Sequence, residues 1–369
     1  MFWTVLMAMS GDAHAFEIVN KEQVGGFDRV RVTLGGFMQP RFTLVPDDTE
    51  QGIPGELGFA LARSRLEFGG YLIGPLSIKP RVTIELIPEA RLVDSYLNLS
   101  VFDEAQIRFG QFKAPTNRSF LVSDKNTLFP ERAELTDVIP RREMGVMLHG
   151  DFGERIFEYQ LGAFNGEGTN RLSNVNRQFL YAGRIVVSPL GSPGTTTELL
   201  PVKAPTTISL GVSAHINVIG DEGEQEGSSG INAESLFHWK WITLQAEYLF
   251  RSIDWENVDV ADFDQEGWYV QTGIYVPGNA WLQEHIVIIG RAEEIEAYEP
   301  IDVNVPLVSA NDPNQRRREY AFGLTYLAGA ELLNDPQDLR IQVTYAIREE
   351  LEDIPYTNNA FTVAAHVTY

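Results

Sequence analysis

Cysteine is absent from the 369 residues of the chain. Its absence excludes disulfide bonds, thiol catalysis and thiolate metal sites. Long apolar runs are also missing, so the sequence predicts no transmembrane helix. A membrane protein is not thereby excluded, because a transmembrane strand needs only about 9–11 residues and only alternate ones have to be apolar.

The net charge of −22 is unevenly distributed along the chain. Residues 1–150 hold 16 basic and 19 acidic residues, whereas residues 151–369 hold 13 and 32. Nucleic-acid partners need a basic surface that opposes the phosphate backbone. We therefore expect no nucleic acid as a partner.

The first fifteen residues are apolar and end in Ala13-His14-Ala15, which is an A-x-A cleavage pattern. They predict a signal peptide at 1–15 and a mature chain of residues 16–369 that begins at Phe16. The alternative is a disordered apolar N-terminus.

Alternation of apolar and polar residues dominates the rest of the chain. Ile78, Val82 and Ile84, for example, alternate with Lys79 and Arg81. Successive strand residues point to opposite faces, so each such segment has one apolar and one polar face. The pattern predicts sixteen strands, at 29–42, 58–73, 76–87, 91–102, 105–113, 143–152, 156–164, 179–188, 206–219, 230–239, 241–252, 267–277, 285–295, 319–328, 338–348 and 361–369.

The connections between these segments alternate between short and long. Tight turns follow every second segment, and longer links, such as 43–57 and 165–178, lie between them. This is typical of an outer-membrane barrel with periplasmic turns and external loops. Two connections break the rule, because 88–90 is too short for an external loop and 189–205 is long for a turn.

The fold class is therefore predicted as all-β, a closed antiparallel transmembrane β-barrel of about 16 strands. A soluble β-sandwich would also alternate, but it needs fewer strands per domain. Charge recurs in mid-strand on the polar face, which would line a wet lumen while the apolar face meets hydrocarbon. The mid-strand cations are Arg63, Arg65, Lys79, Arg81, Arg108, Arg184, Arg251, Arg291 and Arg340.

Residues 114–142 form the longest stretch without alternation, after the fifth predicted strand. Sixteen strands leave a lumen wide enough for water, so selectivity requires something that narrows it. We expect this stretch to be the third external loop, folded inward to form a constriction. The alternative is a solvated loop of mixed surface charge.

The same region carries a family resemblance. RFGQFKAPTNRSF (108–120), FPERAELTDVIPRREMGVMLHG (129–150) and YQLGAFNGEGTN (159–170) resemble the phosphate-selective porin O/P family of Gram-negative outer membranes. The strands before them, from 62 to 115, are similar to that family as well. The resemblance implies a sixteen-stranded barrel that is usually trimeric, passes small solutes and in some members prefers anions such as phosphate.

Rings of basic side chains select anions, so the basic residues around the expected constriction are the candidate pore residues. Family members that prefer phosphate have a lysine-rich pore, whereas this chain has six lysines. Arginine could replace lysine as a bidentate phosphate partner. Alternatively, the arginines pair with Glu67, Glu85 and Asp94 and merely organise the wall. The candidate residues are Arg63, Arg65, Lys79, Arg81, Arg108, Lys113, Arg118, Lys125, Arg132, Arg141 and Arg142.

Three acidic stretches, 221–226, 254–266 and 349–353, fall in predicted external links. Two interpretations fit them. They are solvated loops, or they contact lipopolysaccharide through bridging divalent cations.

No nucleophile, metal-ligand spacing or nucleotide-binding motif stands out in the sequence. We therefore predict a non-enzymatic porin without cofactor or metal, located in the outer membrane and assembled as a homotrimer. It would pass small hydrophilic solutes by diffusion, and a preference for anions such as phosphate is a further hypothesis. Two alternatives stay open: a non-conducting structural or adhesive barrel, and, more weakly, a hydrolase built inside a barrel.

Overall fold

The computed structural model describes residues 29–47, 55–171, 173–220, 225–256, 262–298, 314–328, 338–351 and 358–369. The predicted signal peptide at 1–15 lies outside these residues and stays a prediction. Within the described residues the chain forms sixteen strands. They are β1 Arg29–Val45, β2 Glu56–Ile73, β3 Ser77–Glu85, β4 Arg91–Phe102, β5 Ala105–Lys113, β6 Arg142–Phe152, β7 Phe157–Phe164, β8 Leu180–Val187, β9 Thr207–Ile219, β10 Glu226–Trp239, β11 Ile242–Trp255, β12 Phe263–Tyr275, β13 Ile286–Tyr298, β14 Asn314–Leu327, β15 Leu339–Glu350 and β16 Ala360–Thr368.

Helical structure is confined to short pieces in the described residues. Helix α1 spans Arg118–Leu121 and α2 spans Ala280–His285, and two 3₁₀ turns lie at Asp124–Asn126 and Glu134–Asp137. The Asn117 side chain accepts a hydrogen bond from Phe120 N and caps α1. Among the described residues, no helix is both long enough and apolar enough to cross a membrane.

The strands close into one barrel. Each strand pairs antiparallel with its neighbours in the chain, and β1 pairs with β16 through Phe37↔Thr368 and Leu44↔Phe361. The prediction of a closed antiparallel barrel of sixteen strands is confirmed. Inward folding of the third loop stays a prediction at this point.

The two faces of the barrel are inverted relative to a soluble protein. Large apolar side chains are exposed on the outer face, as with Phe109 at 63% and Leu161 at 54% exposure. Polar side chains such as Gln39, Gln342 and Asn232 are buried on the inner face. This distribution follows from the period of two, because residue 161 faces outward and residue 160 faces inward along β7.

Several strands extend further than the alternation predicts. Strand β10 begins at Glu226 rather than residue 230, β12 begins at Phe263 rather than 267, and β14 begins at Asn314 rather than 319. The acidic stretches that we assigned to external links therefore lie partly in strand ends, because Asp264 and Glu349 belong to strands. Polar strand ends still pair their backbone amides, so alternation of apolar residues underestimates strand length. The remainder of these stretches lies mostly outside the described residues.

Part of the inner face is apolar, and two links cover it. Val287 and Ile289 on β13 pack in one buried cluster with Leu128 and Phe129, from the link between β5 and β6, and with Leu199, from the link between β8 and β9. A second cluster joins three residues of the β5–β6 link to two inner-face residues; its members are Phe120, Leu135, Ile139, Leu249 and Ile295. Apolar inner positions are thus matched by apolar residues of the links.

Because the outer face meets lipid and the inner face is polar, an added charge should be tolerated on the inner face of a strand and not on its outer face. We expect Leu161→Arg on the outer face of β7 to lower the free energy of unfolding in lipid vesicles by about 2–4 kcal/mol. The matched control is Gln160→Arg, whose side chain lines an inner cavity. Urea-induced unfolding measures both variants, and equal losses for the two would contradict the assignment of faces.

Candidate functional site

The inner face of strands β2 to β7 lines a cavity of about 770 Å³, which we call the basic chamber. It lies towards the end of the barrel that carries the short turns. Eight basic and five acidic side chains line it. Seven of the eleven candidate residues are among them: Arg65, Lys79, Arg81, Arg108, Lys113, Lys125 and Arg142.

A second cavity of about 280 Å³ lies towards the other end of the barrel, against β13 to β16. The candidates Arg63, Arg132 and Arg141 line this crevice. Its acidic side chains slightly outnumber its basic ones, since six carboxylates face five arginines. The crevice therefore has a slight excess of acidic side chains, whereas the chamber has an excess of basic ones.

Most candidate arginines in the chamber wall are held by carboxylates. Arg65 pairs with Glu85 at 2.6 Å, Arg81 with Glu67 at 2.8 Å, and Arg142 with Asp94 at 3.0 Å. Lys125 shares Glu67 at 3.3 Å. These are the three carboxylates named in the alternative interpretation, so the ion pairs that it expects are present for these side chains.

Asp124 is the centre of a second charge cluster, on the link between β5 and β6. Its carboxylate binds Arg132 at 3.0 Å and also binds Arg65, and Arg63 lies 3.7 Å away. Burial raises the pKa of Asp124, but the guanidinium groups of Arg132, Arg65 and Arg63 together hold it well below its usual range. The cluster ties the link to strand β2 through charge.

Two candidates bind the backbone rather than carboxylates. The Lys113 ammonium donates to the carbonyl oxygens of Phe120 and Val122 at 2.6 and 2.7 Å, at the C-terminal end of α1. Arg118 is 3% exposed and lines neither cavity. These contacts hold the link in place.

Lys79 and Arg108 differ from the rest of the chamber wall. In the described part of the chain, neither has a carboxylate within salt-bridge distance. The Lys79 ammonium lies 5.5 Å from the centre of the Tyr71 ring, and the Arg108 guanidinium lies 4.6 Å from that of Tyr96. Aromatic faces stabilise a cation without neutralising its charge. Within the described residues, no carboxylate therefore offsets either charge at the chamber wall.

Asn98 lies between these two cations in the sheet, and the sequence analysis did not single it out. It pairs in register with Lys79 on one side and Arg108 on the other. Its Oδ1 accepts from Arg108 Nε at 3.3 Å and from His149 Nε2 at 2.6 Å. Alternation placed Asn98 on the polar face, but its role depends on the register between three strands.

The link between β5 and β6 contacts strands around the ring. Gln39 on β1 donates to Pro130 O at 3.0 Å, and Gln342 on β15 donates to Leu128 O at 2.7 Å. Residues Ser119 and Glu134 of the link donate backbone hydrogen bonds to inner carboxylates of β11 and β13, with distances of 2.7 and 2.9 Å. Both the charge cluster and these hydrogen bonds hold residues 118–134 against inner side chains.

A closed barrel with an apolar outer face, a polar inner face and a basic cavity defines a transmembrane porin-like barrel. The family model of phosphate-selective porin O and P matches residues 32–362 of this chain. The chain therefore belongs to that family, and it is an outer-membrane porin.

Solved structures with the same fold come from several Gram-negative bacteria. The outer membrane channel DcaP of Acinetobacter baumannii has a TM-score of 0.62 at 12% identity, covering 92% of this chain and 97% of that chain. OmpT of Vibrio cholerae in its trimer form has 0.59 at 12%, covering 92% and 99%. OprB of Pseudomonas putida has 0.60 at 10%, covering 92% and 94%. No curated protein has a significantly similar sequence.

Asp124 offers a direct test of the charge cluster. We expect Asp124→Asn to lower the free energy of unfolding by about 3–5 kcal/mol, because it leaves buried arginines without their counter-charge. The matched control is Asp137→Asn on the same link, whose side chain is 67% exposed beside Arg141. That change should cost less than about 1 kcal/mol. Similar losses for both variants in urea-induced unfolding would argue against the cluster.

The depressed pKa of Asp124 also predicts a pH dependence. The stabilisation is fully present above the unfolded-state pKa of about 3.9, and it is lost as the pH falls below that value. The difference in unfolding free energy between the native chain and Asp124→Asn should therefore be constant at neutral pH and shrink below about pH 4. A difference that grows on acidification would contradict the assignment.

Proposed function

We propose that this porin conducts small hydrophilic solutes by passive diffusion and favours anions, with phosphate among them. The solute would enter between the long links, pass the β5–β6 link, cross the basic chamber and leave at the end with the short turns. No bond is made or broken in this process, so the protein would act without enzymatic chemistry.

A single observation carries the anion preference: Lys79 and Arg108 face the chamber with aromatic and amide neighbours instead of carboxylates. A cation already held by a carboxylate contributes little net field to a passing ion. A cation beside neutral groups attracts anions and repels cations. Lys79, Arg108 and the amide group of Asn98 would form the part of the wall that selects anions.

We also propose that residues 114–141 fold into the barrel and form its constriction. The supporting contacts reach strands that lie far apart in the ring, from Gln39 on β1 to Glu247 on β11. A segment that bonds to such distant inner faces has to run between them. Apolar packing against Val287 and Ile289 supports the same position, since those residues would otherwise face water.

The arginine content is compatible with phosphate as a solute. A guanidinium group binds phosphate oxygens through two parallel hydrogen bonds, whereas an ammonium group acts as a point charge. The basic chamber also holds more basic than acidic side chains, eight against five. Arg81, whose side chain is 41% exposed, is available to a solute while it remains bound to Glu67.

The proposal includes a homotrimer and contact with lipopolysaccharide. The trimer form of OmpT, which shares this fold, supports the first. The acidic stretches near residues 221–226 and 254–266 support the second, because divalent cations bridge carboxylates to lipid phosphates. Chemical cross-linking of the membrane-embedded protein would test the trimer.

The alternative of a non-conducting structural barrel rests on the apolar clusters that fill part of the interior. The basic chamber argues for conduction, since its volume is far larger than a water molecule requires. Correct insertion into bilayers without any open-channel current would favour the structural barrel.

The anion preference predicts the effect of removing one charge at a time. A unit charge about 7 Å from the path changes the energy of a passing ion in water by about 0.6 kcal/mol. Loss of the charge removes this attraction for an anion and the equal repulsion for a cation, so we expect Lys79→Gln and Arg108→Gln each to lower the ratio of anion to cation permeability by about sevenfold at low salt. The reversal potential in a potassium chloride gradient across a planar bilayer measures this ratio.

The control for both variants is Lys203→Gln, which removes a charge from a side chain that is 88% exposed and pairs with Glu284. It should leave the reversal potential unchanged. A shift of the same size in the control, or none in the two chamber variants, would place the selective residues elsewhere.

A further inference from the structure

The link between β8 and β9, residues 188–206, is longer than expected for the end of the barrel at which it lies. It belongs to the end of the barrel where connections such as 103–104 and 240–241 are tight turns. A turn at that end needs only a few residues to reverse the chain. The middle of this link is buried, since Glu198 and Leu199 have 2% and 1% exposure.

The backbone of this link is bonded to the link between β5 and β6. Arg118 donates to the carbonyl oxygens of Gly194 and Thr197 at 2.7 and 3.1 Å. Asn126 donates from its side chain to Thr196 O at 2.7 Å and accepts at its carbonyl from Glu198 N at 3.1 Å. The two links come from opposite ends of the barrel and meet through these four hydrogen bonds.

The Glu198 carboxylate joins three elements at one point. It accepts from Ser119 Oγ at 3.0 Å and from Leu128 N at 2.7 Å, both on the β5–β6 link. It also accepts from Gln271 Nε2 at 3.0 Å, on the inner face of β12. A buried carboxylate needs such donors, because an unsatisfied charge in this environment costs several kcal/mol. Glu198 therefore fixes both links to the wall.

Apolar packing and the chamber lining complete the arrangement. Leu199 packs with Leu128 against Val287 on β13, on the side of the barrel opposite the basic chamber. Thr195 and Thr196 of the same link line the chamber itself. One face of the link thus packs against the apolar part of the barrel wall, and the other face borders the proposed solute path.

We propose that residues 188–206 are a second pore-forming element, which enters the barrel from the short-turn end and holds the β5–β6 link against β12 and β13. Passage is thereby confined to the basic chamber. Arg118 and Glu198 are positioning residues that set the path without touching the solute. This inference rests on the proposed function in one respect, namely that residues 114–141 lie inside the barrel.

Cross-linking tests the contact between the links without reference to selectivity. The chain has no cysteine, so an introduced pair reacts without background. Asn126 and Thr196 both line the chamber and are accessible to an oxidant. We expect Asn126→Cys with Thr196→Cys to form a disulfide in the folded, membrane-embedded protein, seen as a mobility change on a non-reducing denaturing gel.

The matched control pair is Asn126→Cys with Lys203→Cys, since Lys203 points out beside Glu284 and should not reach residue 126. Failure of the first pair to form the disulfide in folded protein, or equal cross-linking of the control pair, would overturn the proposal.

Conductance tests the role of the positioning residues. Release of the two links opens the wide lumen of a sixteen-stranded barrel, so we expect Glu198→Ala to raise the single-channel conductance about twofold or more and to weaken anion preference. The conductance of Arg118→Lys should stay closer to the native value than that of Arg118→Ala, because lysine keeps a charged donor for the carbonyl oxygens of Gly194 and Thr197 and alanine keeps none. Barrel integrity is checked separately by resistance to heat denaturation on a gel.

The outcomes separate the two proposals. A wild-type channel that favours cations would remove the proposed anion function, yet the disulfide would still report the contact between the links. Conversely, an anion channel in which Glu198→Ala and Arg118→Ala leave both conductance and selectivity unchanged in a folded barrel would remove the second pore-forming element alone.

Discussion

Backbone hydrogen bonding in hydrocarbon is the constraint on which this structure depends. The bilayer core offers no partner for an unpaired amide, and each unpaired group costs several kcal/mol. The sheet therefore has to close, which it does where β1 meets β16. At that seam Gly36 N donates to Tyr369 O at 2.7 Å and Tyr369 N donates to Gly36 O at 3.0 Å. Closure separates an outer face that meets lipid from an inner face that is enclosed.

Charged side chains on the enclosed inner face need partners. The kind of partner differs between the residues that hold the barrel together and the residues that we propose to select the solute. Neighbouring positions on β3 illustrate the difference. Arg81 is bound by Glu67, whereas Lys79, two residues earlier, lies over the Tyr71 ring. Paired charges hold strands and links together, and their net field is small. Charges with neutral neighbours are left to act on a passing solute, which is why two residues out of eleven carry the proposed selectivity.

The sequence predicted the scaffold well because the scaffold depends on local periodicity. Strand β3 was expected at 76–87 and spans Ser77–Glu85, and its lumen side was read directly from Lys79 and Arg81. Pairing of wall cations with Glu67, Glu85 and Asp94 followed from neighbouring strands, but the contacts of the β5–β6 link were not predictable to the same degree. Asp124 reaches Arg65 across 59 positions of sequence, and that contact depends on the conformation of the link.

The proposed positioning residues could not be predicted from the local sequence pattern either. Glu198 carries no local pattern that marks it, and its partners Leu128 and Gln271 lie about 70 residues away in the chain. The available signal was the length of residues 189–205, which broke the rule of short turns at one end of the barrel. This departure from an otherwise regular pattern indicated that the link differs from a simple turn, although not which contacts it makes.

The most direct measurement is the reversal potential of the wild-type protein, purified and inserted into a planar bilayer that separates two concentrations of potassium chloride. The account predicts open-channel current with a reversal potential on the chloride side, because Lys79 and Arg108 face the chamber without a carboxylate partner among the described residues. A reversal potential on the potassium side would contradict it.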